Sequence, residues 1–213
     1  MKIFAKKLVT AFLLLGIATL SVACNSENTD KNTQSSALQS ETPKNTGSKT
    51  SDGNTDTGKN STDNFLIYSN EEYSFKLSYP KEWTKYDDAM GTLVAFVAPK
   101  DGENDPFSEN INVVVQDLSS QTVTLDQYVQ ASEEEIKQYI SNADIISSKK
   151  TKLGENNAYK LVFSGEQGIY RIKWMQIYVV KNNFAYVFTF TAEDSQYDKY
   201  ISQVEEIMNS IEL

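Results

Sequence analysis

The feature that most constrains this chain is a 40-residue polar tract, Asn25–Asn64, dominated by Asn, Ser, Thr, Asp, Lys and Gly. Leu38 is its only larger aliphatic side chain, and it has no aromatic residue. Ordering a backbone costs about 1–2 kcal/mol per residue, and a segment with so little apolar surface cannot recover that by burial. The tract is therefore expected to be a disordered linker, and the folding problem passes to 65–213. As a flexible coil it would span about 35 Å; fully extended it would reach on the order of 130–140 Å, enough for a thick cell wall.

What precedes the tract explains why a linker would be needed. Lys2, Lys6 and Lys7 come before an apolar run, Leu8 to Leu20, and then Ser21-Val22-Ala23-Cys24. This is the layout of a secretory signal peptide over residues 1–23. The run is shorter than the roughly 20 residues a membrane-crossing helix needs. Leu20-Ser21-Val22-Ala23-Cys24 resembles a bacterial lipoprotein box, with the leucine one place further from the cysteine than usual; Ser21-Val22-Ala23 also suits an ordinary signal peptidase. Cys24 is the only cysteine, so no intramolecular disulfide can account for it. Diacylglycerol attachment at Cys24 is the expectation, with two or three acyl chains giving stable anchoring at roughly 0.8 kcal/mol per buried methylene. The expected organisation is thus a lipoprotein signal peptide at 1–23, a lipidated cysteine and linker at 24–64, and one globular domain at 65–213, displayed on the extracytoplasmic face of a membrane.

Charge narrows the partners. Without residues 1–23 the chain has 17 cations against 29 acids, a net charge of −12. Nucleic-acid binding relies on clustered cations that neutralise phosphates, so this balance argues against it. It also disfavours lying flat on anionic lipid.

The remaining 149 residues suffice for one core. Tyr73-Phe75-Leu77-Tyr79 alternate with polar residues up to Pro80, and further strands are expected at Leu93 to Ala98 and Ile111 to Gln116. Thr124 and Gln127 form a capping-box pattern opening a helix with Leu125, Tyr128, Val129, Ile136, Tyr139 and Ile140 on its stripe. Strands follow over Asp144 to Leu153, Ala158 to Ser164, Tyr170 to Val180 and Phe184 to Thr191, with turns at Gly154 to Asn157 and Asn182-Asn183. A helix after Ser195 ends the chain. This order gives an α+β fold with an antiparallel sheet and two main helices. Tyr159-Leu161-Phe163, Tyr170-Ile172-Trp174 and Tyr186-Phe188-Phe190 are expected to share one apolar face, with Lys76, Lys160, Arg171 and Lys173 as a basic stripe on the other. That stripe is a candidate surface for an acidic partner or an anionic wall polymer; a solvated or helix-covered sheet face is the plainer explanation.

The opening Tyr73-Ser-Phe-Lys-Leu-Ser-Tyr-Pro-Lys-Glu-Trp83, a strand ending at Pro99, the helix from Leu125 and the hairpin from Trp174 to Thr191 with its terminal helix resemble the PsbP-like family. The resemblance covers Phe65 to Leu213. It implies an α-β-α sandwich and a non-catalytic role beside larger membrane assemblies. The family's best-known member is an extrinsic photosystem II subunit that supports calcium and chloride retention; nothing in this chain marks photosynthesis, and no calcium or chloride position transfers to it.

Catalytic chemistry is sparse. The chain has no histidine, which removes a Ser-His-Asp triad, a Cys-His pair and histidine metal ligation. No phosphate-cradling glycine loop occurs, and no cofactor is expected. A hydrolase built on carboxylates alone would need a cleft that the pattern does not reveal. Asp101, Glu103 and Asp105 alternate as in hard-cation loops, but the EF-hand glycine and glutamate places hold Pro106 and Asn112. Trp83, Tyr86 and Trp174 are candidate pocket aromatics, although aromatics at strand period are more often core. The leading reading is a monomeric, lipid-tethered binding module for an envelope protein or wall component. A small-ligand or calcium carrier comes second, and a carboxylate hydrolase third.

Overall fold

The computed structural model describes residues 64–213; Cys24 and the rest of the leader and linker lie outside the described residues. The elements are β1 (Phe65–Asn70), β2 (Phe75–Pro80), β3 (Thr84–Asp87), β4 (Val94–Val97), β5 (Asn110–Asp117), α1 (Leu125–Tyr139), β6 (Ser141–Leu153), β7 (Asn156–Gln167), β8 (Tyr170–Lys181), β9 (Phe184–Glu193) and α2 (Tyr197–Asn209). β1 and β2 form a small sheet, and β3-β4-β5-β9-β8-β7-β6 form a seven-stranded one with every neighbouring pair antiparallel. One helix serves each face. Tyr128, Val129 and Ile136 of α1 pack with Leu161, Phe163, Ile172, Trp174 and Tyr178. On the opposite face Tyr200, Val204 and Ile207 of α2, with Phe75 and Leu77 of β2, pack with Met175, Ile177, Phe188 and Phe190. The arrangement is an α-β-α sandwich.

Local chemistry sets these elements. The Thr124 hydroxyl accepts from Gln127 N–H at 3.3 Å while Gln127 Oε1 accepts from Thr124 N–H at 2.9 Å, a reciprocal cap on the first turn of α1. Asn182 and Asn183 both take positive φ, 52° and 63°, as a two-residue hairpin requires, and asparagine tolerates that conformation. At Gly165 the requirement is space: a Cβ there would lie 2.3 Å from Ile140 Cγ2, so only glycine lets β7 pass beneath the end of α1.

The expected common face for the aromatics is corrected by the register. Lys181 pairs with Phe184 across the two-residue loop, so even-numbered residues of β8 oppose odd-numbered residues of β9. Trp174 therefore sits beside Thr191, while Phe190 sits beside Met175 on the α2 side. Tyr186, Phe188 and Phe190 belong to one core, and Leu161, Phe163 and Trp174 to the other. Tyr139 is also corrected: it is 64% exposed. The helix gives way at Ile140, whose extended backbone turns the chain straight into β6, and Ile140 enters the core instead. Ser132 takes a buried place on the α1 stripe by donating its hydroxyl to the Tyr128 carbonyl at 3.0 Å.

Candidate functional site

Each of the four cations singled out in the sequence has a carboxylate within reach. Lys160 meets Glu205 at 2.7 Å, Arg171 meets Asp194 at 3.4 Å, and Lys173 meets Asp198 at 4.0 Å. These acids belong to α2 and the turn before it, so the cations on β7 and β8 form a rim along that helix. Arg171 also donates to Ser164 Oγ at 3.2 Å, and Lys173 lies 4.2 Å from the centre of the Tyr197 ring. Burial and the acids Glu205 and Asp198 push the Tyr197 phenol up to about 12. Lys76 stands apart, on β2, where it pairs with Glu212 at 3.0 Å beside a backbone bridge between the same two residues. The structure thus gathers Lys160, Arg171 and Lys173 and separates Lys76 from them. The Arg171 side chain is 50% exposed and Lys160 35%, so their guanidinium and ammonium groups remain accessible.

The acidic loop is organised by its own chain. Asp105 accepts from the Asp101 N–H at 3.0 Å and the Phe107 N–H at 3.1 Å, which uses both its carboxylate oxygens to hold the turn. Asp101 is engaged by the Lys199 ammonium and, at 3.2 Å, by the Tyr200 hydroxyl; the hydrogen bond from Lys199 holds its carboxyl below the usual range. Glu103 is exposed. Among the described residues no group of three His, Cys, Asp or Glu side chains is placed to hold a metal ion. The alternation of acids builds a turn docked on α2.

Glu109, two residues past Phe107, was invisible to sequence reasoning. It is 3% exposed. Burial pushes its carboxyl above the ordinary glutamate value, with Asp105 and Asp101 adding to the rise, against opposing hydrogen bonds from the backbone of Glu109 and Glu193. A charge in an otherwise acidic run gave no signal of burial.

The aromatic candidates do not share a pocket. Trp83 packs in the α2-side core, edge-on to Tyr200 at 6.4 Å, with its indole N–H donated to Gln203 Oε1 at 3.2 Å. Trp174 lies in the α1-side core, stacked on Phe163 at 5.0 Å. Tyr86 is 38% exposed on β3. The surface clefts among the described residues include two of moderate size. One of about 440 Å³ runs between the β1–β2 hairpin and the C-terminus, with Lys76 and Glu212 on its wall. Another of about 330 Å³ lies at the start of α1 beside Asp126, Lys150 and Tyr159. Neither is lined by a buried titratable side chain. No helix among the described residues is long and apolar enough to cross a membrane.

Buried polar side chains collect instead on the α1 face of β5, β9 and β8. Asn110, Asn112, Gln176, Thr189 and Thr191 are each at most 7% exposed. Tyr178 donates to Gln176 Oε1, and Gln176 Nε2 donates to Thr189 Oγ1 at 3.0 Å. Burial raises the Tyr178 phenol far above its usual value, so it stays a donor.

The fold has solved counterparts. Cyanobacterial PsbP from Synechocystis sp. PCC 6803 superposes with a TM-score of 0.53 at 16% identity, over 74% of this chain and 97% of that one. LpqN, involved in cell envelope biogenesis of Mycobacterium tuberculosis, gives 0.53 at 15%, over 65% and 82%. PA94 of Pseudomonas aeruginosa, a putative regulator of unknown function, gives 0.50 at 13%, over 68% and 94%. No curated protein matches the sequence. A family model described as PsbP-like protein matches residues 8–213, and the chain belongs to that family.

Proposed function

We propose that this protein is a lipid-tethered, extracytoplasmic binding module, without catalysis of its own, that docks an envelope protein complex or a wall component. The observation that carries the reading is the sequence of parts. Cys24 follows residues 1–23, which have the layout of a secretory leader, forty polar residues come next, and a PsbP-like domain begins at Phe65. An attached lipid would hold the module at the membrane while the linker gives it reach. LpqN, the structural relative involved in envelope biogenesis, supports an envelope setting, and the accessory character of PsbP-like proteins supports a role without catalysis.

The docking surface in this reading is the rim of Lys160, Arg171 and Lys173. Their ion pairs with Glu205, Asp194 and Asp198 lie at the surface, with Lys173 the most covered of the three cations, and are worth about 0–1 kcal/mol each. An acidic partner can therefore exchange for them at little cost. The test is a photo-crosslinking side chain at Arg171 in the native host. One discrete envelope adduct, lost with Cys24→Ala and absent when the crosslinker is moved to Lys152, is expected. A diffuse ladder independent of both changes would overturn the docking reading.

A further inference from the structure

The seven-stranded sheet ends differently at its two edges. β3 closes one side with four residues, whereas β6 closes the other with thirteen and pairs with β7 alone. Such a strand leaves about 40 Å of backbone whose alternate N–H and C=O groups turn away from the sheet. An open edge of that length is a template for a further strand. Among the described residues no other segment pairs with it, and Ser148 to Lys152 are exposed on both faces.

Only half of β6 is regular enough to accept a partner. Register shifts fall between Ser141 and Asp144 and between Ile145 and Ser147, while Ser147 to Leu153 pair with Val162 to Asn156 one for one. Gly154, at φ 55°, then turns the chain into β7. The regular stretch carries Lys149, Lys150 and Lys152, although acids outnumber cations 29 to 17 in the chain past residue 23. Lys150 pairs with Asp126 at 2.9 Å; Lys149 and Lys152 have no carboxylate partner among the described residues. Lys149 also stands opposite Lys160 of β7, which adds another ammonium at the same place.

This pattern bears on one partner above all, a second copy of the chain. Two β6 strands can join antiparallel only about a two-fold axis perpendicular to the sheet, so that each residue opposes one from the same face. With the axis at residue 149, 150 or 152, that lysine opposes its own copy; with the axis at Thr151, Lys150 opposes Lys152. An axis nearer residue 141 carries the pairing through the shift between Ile145 and Ser147, and one at Leu153 meets the turn at once. Opposed Cβ atoms lie about 4.5–5.5 Å apart, and like charges directly opposite are destabilising. We propose that the β6 edge is a self-pairing surface kept closed by charge, in which Lys149, Lys150 and Lys152 prevent two copies from joining their sheets. The proposal needs neither the lipid nor the docking rim.

The test compares the full chain in detergent with two triple variants, by sedimentation equilibrium and amide hydrogen exchange. Physiological salt, with a screening length of about 8 Å, weakens repulsion between whole domains more than between directly opposed side chains. Wild type is expected to be monomeric. Replacing all three lysines by threonine removes the charge and keeps strand propensity; this variant is expected to double in mass, with slowed exchange of its β6 amides. Replacing all three by glutamate opposes acid to acid, so this variant is expected to stay monomeric alone and to pair one to one with wild type. A dimeric wild type, or a folded threonine variant that stays monomeric or dimerises with β6 amides exchanging as before, would overturn the proposal. So would a mixture of wild type and glutamate variant that does not pair, and that mixture decides the matter if the threonine variant does not fold.

Discussion

Phe188 and Thr189 are neighbours on β9 and both are buried, yet they face interiors built differently. Phe188 joins an aromatic and aliphatic layer with Phe75, Ile177 and Val204, with ion pairs along the rim of α2. Thr189 joins a strip of amides and hydroxyls that runs beside the apolar contacts of α1. The first side gains its free energy from area removed from water; the second holds polar groups that demand defined partners and so specify a single arrangement. Two sides of one sheet thus divide the work between cohesion and specificity.

The contrast predicts unequal responses to substitution. Phe188→Ala should cost about 3–5 kcal/mol, read by urea unfolding, because it empties a fully enclosed site. A loss under 1 kcal/mol would mean that the α2 side is loosely packed. Gly165→Ala should follow at about 1–3 kcal/mol, since Ile140 must move from the junction of α1 and β6.

Glu109→Gln tests the one buried carboxylate residue among those described, and its effect has the opposite sign. The folded-state pKa lies above the unfolded one, so the native state holds the proton more tightly. The contribution of Glu109 to stability is therefore greatest below the ordinary glutamate range and is lost as pH rises through the raised value. The variant should be more stable than wild type at neutral pH, and the two should converge on acidification. A variant less stable at pH 7 would assign Glu109 a bonding role that outweighs its desolvation.

Lys160→Met should change stability by only about 0–1 kcal/mol, because its pair with Glu205 is partly exposed at the surface. Calcium should leave the melting temperature unmoved. A ligand that binds only the folded state raises it, and Oδ1 of Asp101 and both carboxylate oxygens of Asp105 are already committed within the protein.

Much of the fold was legible where a local rule has a backbone consequence. Thr124 with Gln127 marked the start of α1, and Asn182-Asn183 marked the β8–β9 turn. That same turn contained the correction to the aromatic face, because a two-residue loop pairs even positions with odd ones. Both faces of β8 and β9 are buried, so aromatics at every parity looked alike. β3 escaped notice because all four of its side chains are exposed and only its backbone pairing makes it a strand. The polar strip was hidden for another reason: Asn112, Thr189 and Thr191 are residue types that usually mark surface. Their burial depends on register and on what lies over the sheet, neither of which one sequence displays. For the cationic rim the sequence supplied the residues, and α2 folding back supplied the acids.

The most direct test of the proposed module is the intact mass of the protein recovered from the membrane fraction of its native host, for wild type and for Cys24→Ala. The account predicts a wild-type chain beginning at Cys24 and carrying a diacylglycerol, with the variant unlipidated and released. A wild-type chain of unmodified mass, recovered free of the membrane, would contradict it.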